Sequence, residues 1–527
     1  MIDTLIRGGL IVDGTGRPAF SGDIAIADGK IGSVGATGDI SARRVIDATG
    51  KVVTPGFIDI HRHADAAAFR PGFGSLELCQ GLTTIVNGNC GLSVAPFGTE
   101  NGAAIRAYLT PITGVLPEDM PTDTMAHYLS ALHDLPIHCA MLAGAGVVRA
   151  DVAGYGRAHM TDGDMQTVHR NLEKALRDGA LGISLGLGYA PECFYTTEEL
   201  IQALAPVAGT SIPVTVHMRQ EGTGVVESVQ EMLEVAKALR CPMHISHLKA
   251  MGRSNWGKKI PQALSLLERA CRDGLNVSCD VYPYTAGSTQ LLHILPPDFL
   301  RGGMEAAVGR LADRQVRNEL AMRIESGEGF DNIAKLAGWD GIYLTSLQCP
   351  ENRQYQGKNL VEIAEMTGQS PLDACCELLI KERGRITMID FMAAEEDICA
   401  ILRSPLSNVI SDSTYPTEGK PHPRVYGTFT RMIEHFVVDK HVLSLEEAVH
   451  KMTMAPAEVL GMANKGRLQV NCDADLCIFA PEDLHEMATY EDSTQMSRGM
   501  AYVLVGGRIA LENGKPTGIC AGEVVRR

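Results

Sequence analysis

At 527 residues, 45% hydrophobic and 21% charged, the chain has a globular composition and is too long for one ordinary core. Its 47 basic and 63 acidic residues give a formal charge of −16, which argues against nucleic acid and anionic membranes as partners, because phosphate binding needs clustered Lys and Arg. No apolar run is long enough to cross a bilayer, no secretory signal opens the chain, and the 14 scattered cysteines suit free thiols, so a reducing, cytoplasmic location is expected.

Residues 1–55 are short alternating runs broken by Gly and Asp, such as TLIRGGLIVDGTG and GDIAIADGKIGSVG. Period-two alternation with DG and GG turns predicts antiparallel strands. The same texture returns at 465–484 and 499–518. Neither end has strands enough alone, so one small β-sandwich domain built from both termini, 1–55 and 461–527, is expected. The entropy of closing the intervening loop grows only logarithmically with its length.

Residues 56–460 change rhythm. Short buried-looking strands are expected at 56–61, 83–89, 137–144, 180–186, 213–218, 242–247, 276–283 and 407–412, with amphipathic helices such as 164–179, 225–239 and 260–274 between them. Eightfold strand–helix alternation predicts an α/β fold with a (β/α)8 TIM-like barrel. A further strand candidate, 385–392, leaves the count open by one. Residues 291–360 break the pattern with Arg- and Glu-rich helices and the polar stretch QCPENRQYQGKN, and are expected as an inserted lid over the barrel mouth.

Strand C-termini face a barrel's active site. Here they carry His61, Arg62 and His63 on strand 1, Cys90 after strand 2, His217 on strand 5, His247 on strand 6 and Asp412 on strand 8. Alternation sends His61 and His63 to one face and Arg62 to the other. Imidazole, thiolate and carboxylate donors suit Zn2+ better than Mg2+ or Ca2+. Taken singly, each residue is as well read as packing or a buried hydrogen bond. Five strand ends delivering ligand-type residues together favour a metal site. His244 points away from His247 by parity, which makes it a structural residue.

The stretches DGTG (13–16), GFIDIHRHAD (56–65), GLTTIVNGNCGLSVAP (81–96), GALGISLGLGYAP (179–191), VHMRQEG (216–222), ISHLKAMG (245–252), DVYPYTAGST (280–289) and ISDSTYPTEGKPHPRVYGTF (410–429) run through nearly the whole chain. In these the chain resembles the N-acyl-D-amino-acid deacylases (D-aminoacylases) of the amidohydrolase superfamily. The resemblance implies a tight zinc site formed by Cys90, His217 and His247, and a second, weakly occupied site formed by His61, His63 and Asp412. It implies Asp412 as general base and acid, and Lys249, Tyr282, Ser288 and Arg424 as the grip on a substrate carboxylate. Arg424 is equally well read as a structural brace, and Arg219 and Glu221 as positioning the strand-5 loop. Arg253 and Arg353 stand as candidates for selecting acidic side chains.

The expected substrate is a small-molecule N-acyl-D-amino acid, hydrolysed to a carboxylate and a free D-amino acid. Arg62, Ala145 and Ser413 depart from the family pattern, the last two near the pocket. Three alternatives stay open: a cyclic-amide hydrolase of the hydantoinase or dihydroorotase kind, a dipeptidase acting on C-terminal D-residues, and a non-catalytic scaffold. The cyclic-amide enzymes usually bridge two metals with a carboxylated lysine on strand 4, and ALGISLGLGYAP has none. The oligomeric state is not legible.

Overall fold

The chain begins and ends in the same sheet. In the computed structural model, which describes residues 2–38, 40–327, 329–416 and 418–527, strand Val52–Pro55 lies between Ile2–Ile11 and Leu476–Phe479. Val53 pairs with Ile478 across that antiparallel junction. Outward from it run Met500–Val505, Arg508–Glu512 and Lys515–Pro516 on one side, and Phe20–Ala27 and Lys30–Gly35 on the other, with Ala42–Asp47 parallel to Ile2–Ile11. Both ends of the chain feed one apolar core, in which Ile6, Ile24, Ile26 and Val53 meet Ala474, Leu476, Ile478 and Leu504. The alternating apolar positions thus find their buried face only when the termini combine.

Eight parallel strands follow: β1 (Phe57–Asp59), β2 (Leu82–Asn87), β3 (His138–Met141, continuing through Ala143–Gly144), β4 (Ile183–Gly186), β5 (Val214–His217), β6 (Met243–Ile245), β7 (Val277–Val281) and β8 (Ser407–Val409). β1 to β3 pair in order, as do the end of β3 through β8. The ring closes just past β8, where Asp412 N donates to His61 O at 2.9 Å and His63 N to Ser413 O at 2.9 Å. Every residue of β2, β3 and β4 is buried, as expected of strands covered on both faces.

The outer helices are built to order by their sequences. In α1 (Asp162–Arg177) Thr161 and Asp164 form a capping box, acids occupy the first turn, Lys174 and Arg177 occupy the last, and Met165, Val168, Leu172 and Leu176 make the buried stripe. The helices α2 (Val225–Leu239) and α3 (Lys259–Arg272) bury equivalent stripes. Among the described residues, no helix is long and apolar enough to cross a membrane.

Between β7 and β8 the chain leaves the barrel. It forms a three-stranded antiparallel sheet, Ala286–Gln290, Thr387–Phe391 and Ile342–Ser346 with Thr387–Phe391 central, and helices that include Gly303–Arg310, Arg314–Ser326 and Pro371–Lys381. The spare strand candidate at 385–392 is therefore no barrel strand. Its register with Ala286–Gln290 assigns it to this outer sheet, a choice that local β propensity does not encode.

A buried ionic knot ties the terminal sheet to the barrel floor. Asp475 accepts from Lys465 Nζ at 2.7 Å and from Gly506 N at 2.8 Å, and lies 3.0 Å from His138 Nε2 at the start of β3. Burial alone raises the Asp475 carboxyl, but Lys465 and His138 outweigh it and hold it far below the usual range. Asp475→Asn is expected to cost about 3 kcal/mol at pH 7, because it leaves a buried cation underpaired. The group's folded value is depressed, so its contribution is complete above the unfolded value of about 3.9 and shrinks as pH falls below it. Denaturant melts of both proteins at pH 7 and below pH 4 measure the gap and its narrowing.

Candidate active site

The residues just beyond the strand ends converge on one face of the barrel. His61 and His63 follow β1, and both reach the same oxygen: Asp412 Oδ1 lies 3.4 Å from His61 Nε2 and 3.4 Å from His63 Nε2. Arg62 turns the other way, as strand parity requires, and is fully buried. There it donates to Asp59 at 3.1 Å, Ser411 Oγ at 3.3 Å and Glu77 at 3.3 Å, and to the hydroxyl of Tyr415. This network binds the β1 end to the loop that carries Asp412.

Cys90 Sγ lies 3.2 Å from His61 Nε2 and 3.5 Å from His247 Nε2. His217 Nδ1 is 3.1 Å from the same His247 nitrogen. Among the described residues three donor groups result, each with its atoms within 4.8 Å of one another: His61, Cys90 and His247; His61, His63 and Asp412; and His217, Glu221 and His247. All six expected ligands are thus brought into one contiguous cluster. Cys90 and His217 each approach the same His247 nitrogen, but the expected trio of Cys90, His217 and His247 is not one of these groups; His61 stands next to the thiol in place of His217.

Three of these side chains sit on strained backbone. Cys90, His247 and Asp412 have φ of 54°, 37° and 50°, in the left-handed region that non-glycine residues rarely occupy and that collects at functional sites. The Cys90 turn also needs a glycine opposite it. A Cβ on Gly186 would stand 2.2 Å from Cys90 O, so any side chain there would push the thiol out of place.

Glu221, expected only to position the strand-5 loop, stands instead in the donor cluster. It is buried, accepts from Lys249 Nζ at 2.7 Å, and lies 2.8 Å from His247 Nδ1 and 3.8 Å from His217 Nε2. Burial favours its neutral form, yet His217, Lys249 and His247 outweigh that and hold it well below the usual carboxylate range. Its position four residues after His217 in VHMRQEG was the available signal. A carboxylate behind a ligating imidazole orients the ring and raises its basicity. Glu221→Gln is expected to weaken metal binding by about 10–100-fold, read by competition with a chelator of known affinity. His244, the other strand-6 histidine, lies 2.7 Å from both Ser278 Oγ and Asp280 Oδ2, away from the cluster.

The cluster opens into a cavity of about 320 Å³. Lys249, Tyr282 and Ser288 line it together with His217, His247 and Asp412. Lys249 does not stand alone: it is paired with Glu221, and its ammonium lies 5.9 Å from the Tyr282 ring centre. Arg424 is fully buried behind the wall. It pairs with Asp412 Oδ2 at 3.0 Å, donates to Ser288 O at 3.1 Å and stacks 4.8 Å over Tyr282. Its contacts make it a brace for the carboxylate of Asp412. Arg253 and Arg353 are outside the cavity lining; Arg253 lines a separate groove and Arg353 pairs with Glu418 on the surface.

The electrostatics suit a cation. Burial pushes His61 well down and His217 down to about 3, so both imidazoles are neutral and present lone pairs. Burial also pushes the Cys90 thiol well up, reinforced by Asp412 and Glu221. A metal ion is what converts such a thiol to thiolate. At Asp412 burial is again opposed: Arg424, then His63 and His61, hold the carboxyl well below its usual range, so it is ionised. The ring nitrogens of His217 and His247, 3.1 Å apart beside a thiol and a carboxylate, form a mixed N/S/O donor set of the kind zinc takes. His61 Nδ1 and His63 Nδ1 have no hydrogen-bond partner among the described residues.

The chain's similarities agree with this arrangement. Residues 44–511 match the model of the amidohydrolase family. The chain is 32% identical to a D-aminoacylase of Alcaligenes xylosoxydans xylosoxydans over 100% of its length and 98% of the relative's. It is 31% identical to an N-acyl-D-aspartate deacylase of the same organism, over 96% and 91% of the two chains. Among solved structures, the N-acyl-D-glutamate deacylase of Bordetella bronchiseptica, complexed with zinc and a phosphonate that mimics the tetrahedral intermediate, superposes with a TM-score of 0.84 at 31% identity, covering 100% of both chains. With a closed barrel, a terminal sheet shared by both ends and a full-length match at this identity, the chain belongs to the amidohydrolase family.

Proposed function

We propose that this chain is a zinc-dependent amidohydrolase that cleaves N-acyl-D-amino acids to a carboxylate and a free D-amino acid. The observation that carries the reading is the meeting of Cys90 Sγ with His61 Nε2 at 3.2 Å and His247 Nε2 at 3.5 Å, beside a cavity that His217, His247 and Asp412 line. Zinc would be held by Cys90 with His247 and His217 or His61, and a second ion, weakly, by His61, His63 and Asp412. When bound, zinc supplies Lewis-acid polarisation of the amide carbonyl and lowers the pKa of water to about 7.

The chain's own groups do the rest. Asp412, aimed by Arg424 and held as the carboxylate, takes a proton from the attacking water at its Oδ1 and returns it to the leaving amine. Lys249 and Tyr282 hold the substrate's α-carboxylate by charge-assisted bonds. Burial of His61, His63, Cys90, Glu221 and His247 keeps bulk water from most of the cluster, which strengthens these interactions. All fourteen cysteines are free, which supports a reducing, cytoplasmic setting.

The test is a panel of N-acetyl and N-formyl D- and L-amino acids, with zinc measured on the same sample. Release of free D-amino acid from the D series alone, by protein carrying tightly bound zinc, is expected. Turnover of hydantoins or of the L series in its place overturns the reading.

A further inference from the structure

A ligating imidazole is oriented by what stands behind it. Glu221 stands behind the ring of His247. Asp280, on β7, is buried behind the same residue's main chain and has no part in the chemistry. Its Oδ1 accepts from His247 N, and its main-chain oxygen accepts from Leu248 N at 2.8 Å. Asp280 thus takes two successive N–H groups of the turn that carries His247. That turn holds a φ of 37°, which needs such contacts to persist.

The other oxygen of Asp280 faces two imidazoles. Oδ2 lies 2.7 Å from His244 Nε2 and 4.0 Å from His61 Nδ1, the buried nitrogen without a hydrogen-bond partner among the described residues. A histidine that offers Nε2 to a metal carries its proton on Nδ1, and the acceptor beside Nδ1 sets the ring. His244 decides where that acceptor sits. It is buried, with Nε2 on Asp280 and Nδ1 2.7 Å from Ser278 Oγ. His244 and Ser278 are register partners across the parallel β6–β7 pair, and Ser278 and Asp280, two residues apart, share a face of β7. The His244 ring is therefore clamped along β7. Oδ2 can turn toward His61 only by giving up a buried hydrogen bond.

We propose that Asp280 and His244 are positioning residues of the zinc site: Asp280 holds the His247 turn and faces the ring of His61, and His244, braced by Ser278, fixes the Asp280 carboxylate in that pose. This rests on the zinc reading above. His244 touches none of the candidate ligands in this scheme and acts through Asp280.

The experiment measures zinc affinity by chelator competition, and the surroundings of Cys90 by the thiolate-to-cobalt absorption of cobalt-substituted protein. It compares wild type, His244→Phe, His244→Gln, Asp280→Asn and the double variant His244→Phe/Asp280→Asn, with circular dichroism as the control for folding. Asp280→Asn is expected to weaken zinc binding by about 10–100-fold, because an amide has one acceptor oxygen and cannot serve both His247 N and His244. His244→Phe weakens it by about tenfold and shifts the cobalt band. His244→Gln keeps an N–H for Asp280 and restores most of the affinity. The double variant is no weaker than Asp280→Asn alone, as expected of residues acting in series. Should His244→Phe not fold, Ser278→Ala, which frees His244 from behind, takes its place with an expected loss of about threefold. Wild-type affinity and cobalt absorption in His244→Phe, or in its substitute, overturn the inference while the zinc reading stands. Losses that multiply in the double variant overturn it too, as does a His244→Gln protein as impaired as His244→Phe. Wild-type protein without tightly bound zinc overturns the zinc reading and the inference with it.

Discussion

Asp412→Asn is expected to lower kcat by about 100- to 10,000-fold, the range general acid–base catalysis supplies, while the protein still binds zinc. The carboxylate is held ionised, lines the cavity, and is the group proposed to shuttle the proton. Arg424 holds its Oδ2 at 3.0 Å, and Oδ1 faces His61 and His63 at 3.4 Å each. Asparagine keeps the shape but has no basic oxygen of comparable strength. It also leaves the buried Arg424 guanidinium without its counter-charge, so a fall in thermal stability accompanies the loss of rate. Zinc content, melting temperature and single-turnover rate on one preparation separate these effects. A variant that keeps its zinc, its fold and its rate removes Asp412 from the mechanism.

Replacing Cys90 has the second large effect. Cys90→Ala is expected to weaken zinc binding by more than about 100-fold, since loss of an outer-shell partner alone costs about 10–100-fold. Activity falls with it. Alanine tolerates the φ of 54° no worse than cysteine does, and Cys90 is a small buried side chain, so the fold survives. Equilibrium dialysis against zinc, with circular dichroism as the control for folding, reads the result. Zinc retained at wild-type affinity in Cys90→Ala shows that the thiol is not a ligand. Cys90→Ser separates sulfur from shape: an oxygen in the same place is the poorer partner for zinc and restores little.

The sequence by itself determined the barrel, the shared terminal sheet and the addresses of the candidate ligands. The reason is that these follow from short-range periodicity. Alternation placed His61 and His63 on one side and Arg62 on the other, and strand–helix rhythm located the strand ends after which Cys90, His217, His247 and Asp412 project.

Only the tertiary structure decided who neighbours whom. Thr387–Phe391 reads as a strand in either sheet, and its partner Ala286–Gln290 is about 100 residues away. Arg62 meets Ser411 and Tyr415 across the β1–β8 seam, and Glu77 on the short helix Ser75–Cys79. Glu221 becomes a site residue because its loop folds back onto His247 and Lys249. The left-handed backbone of Cys90, His247 and Asp412 contradicts local preference and is held by surrounding contacts. Pairwise burial of charge and backbone strain are long-range properties, and no local pattern of residues encodes them.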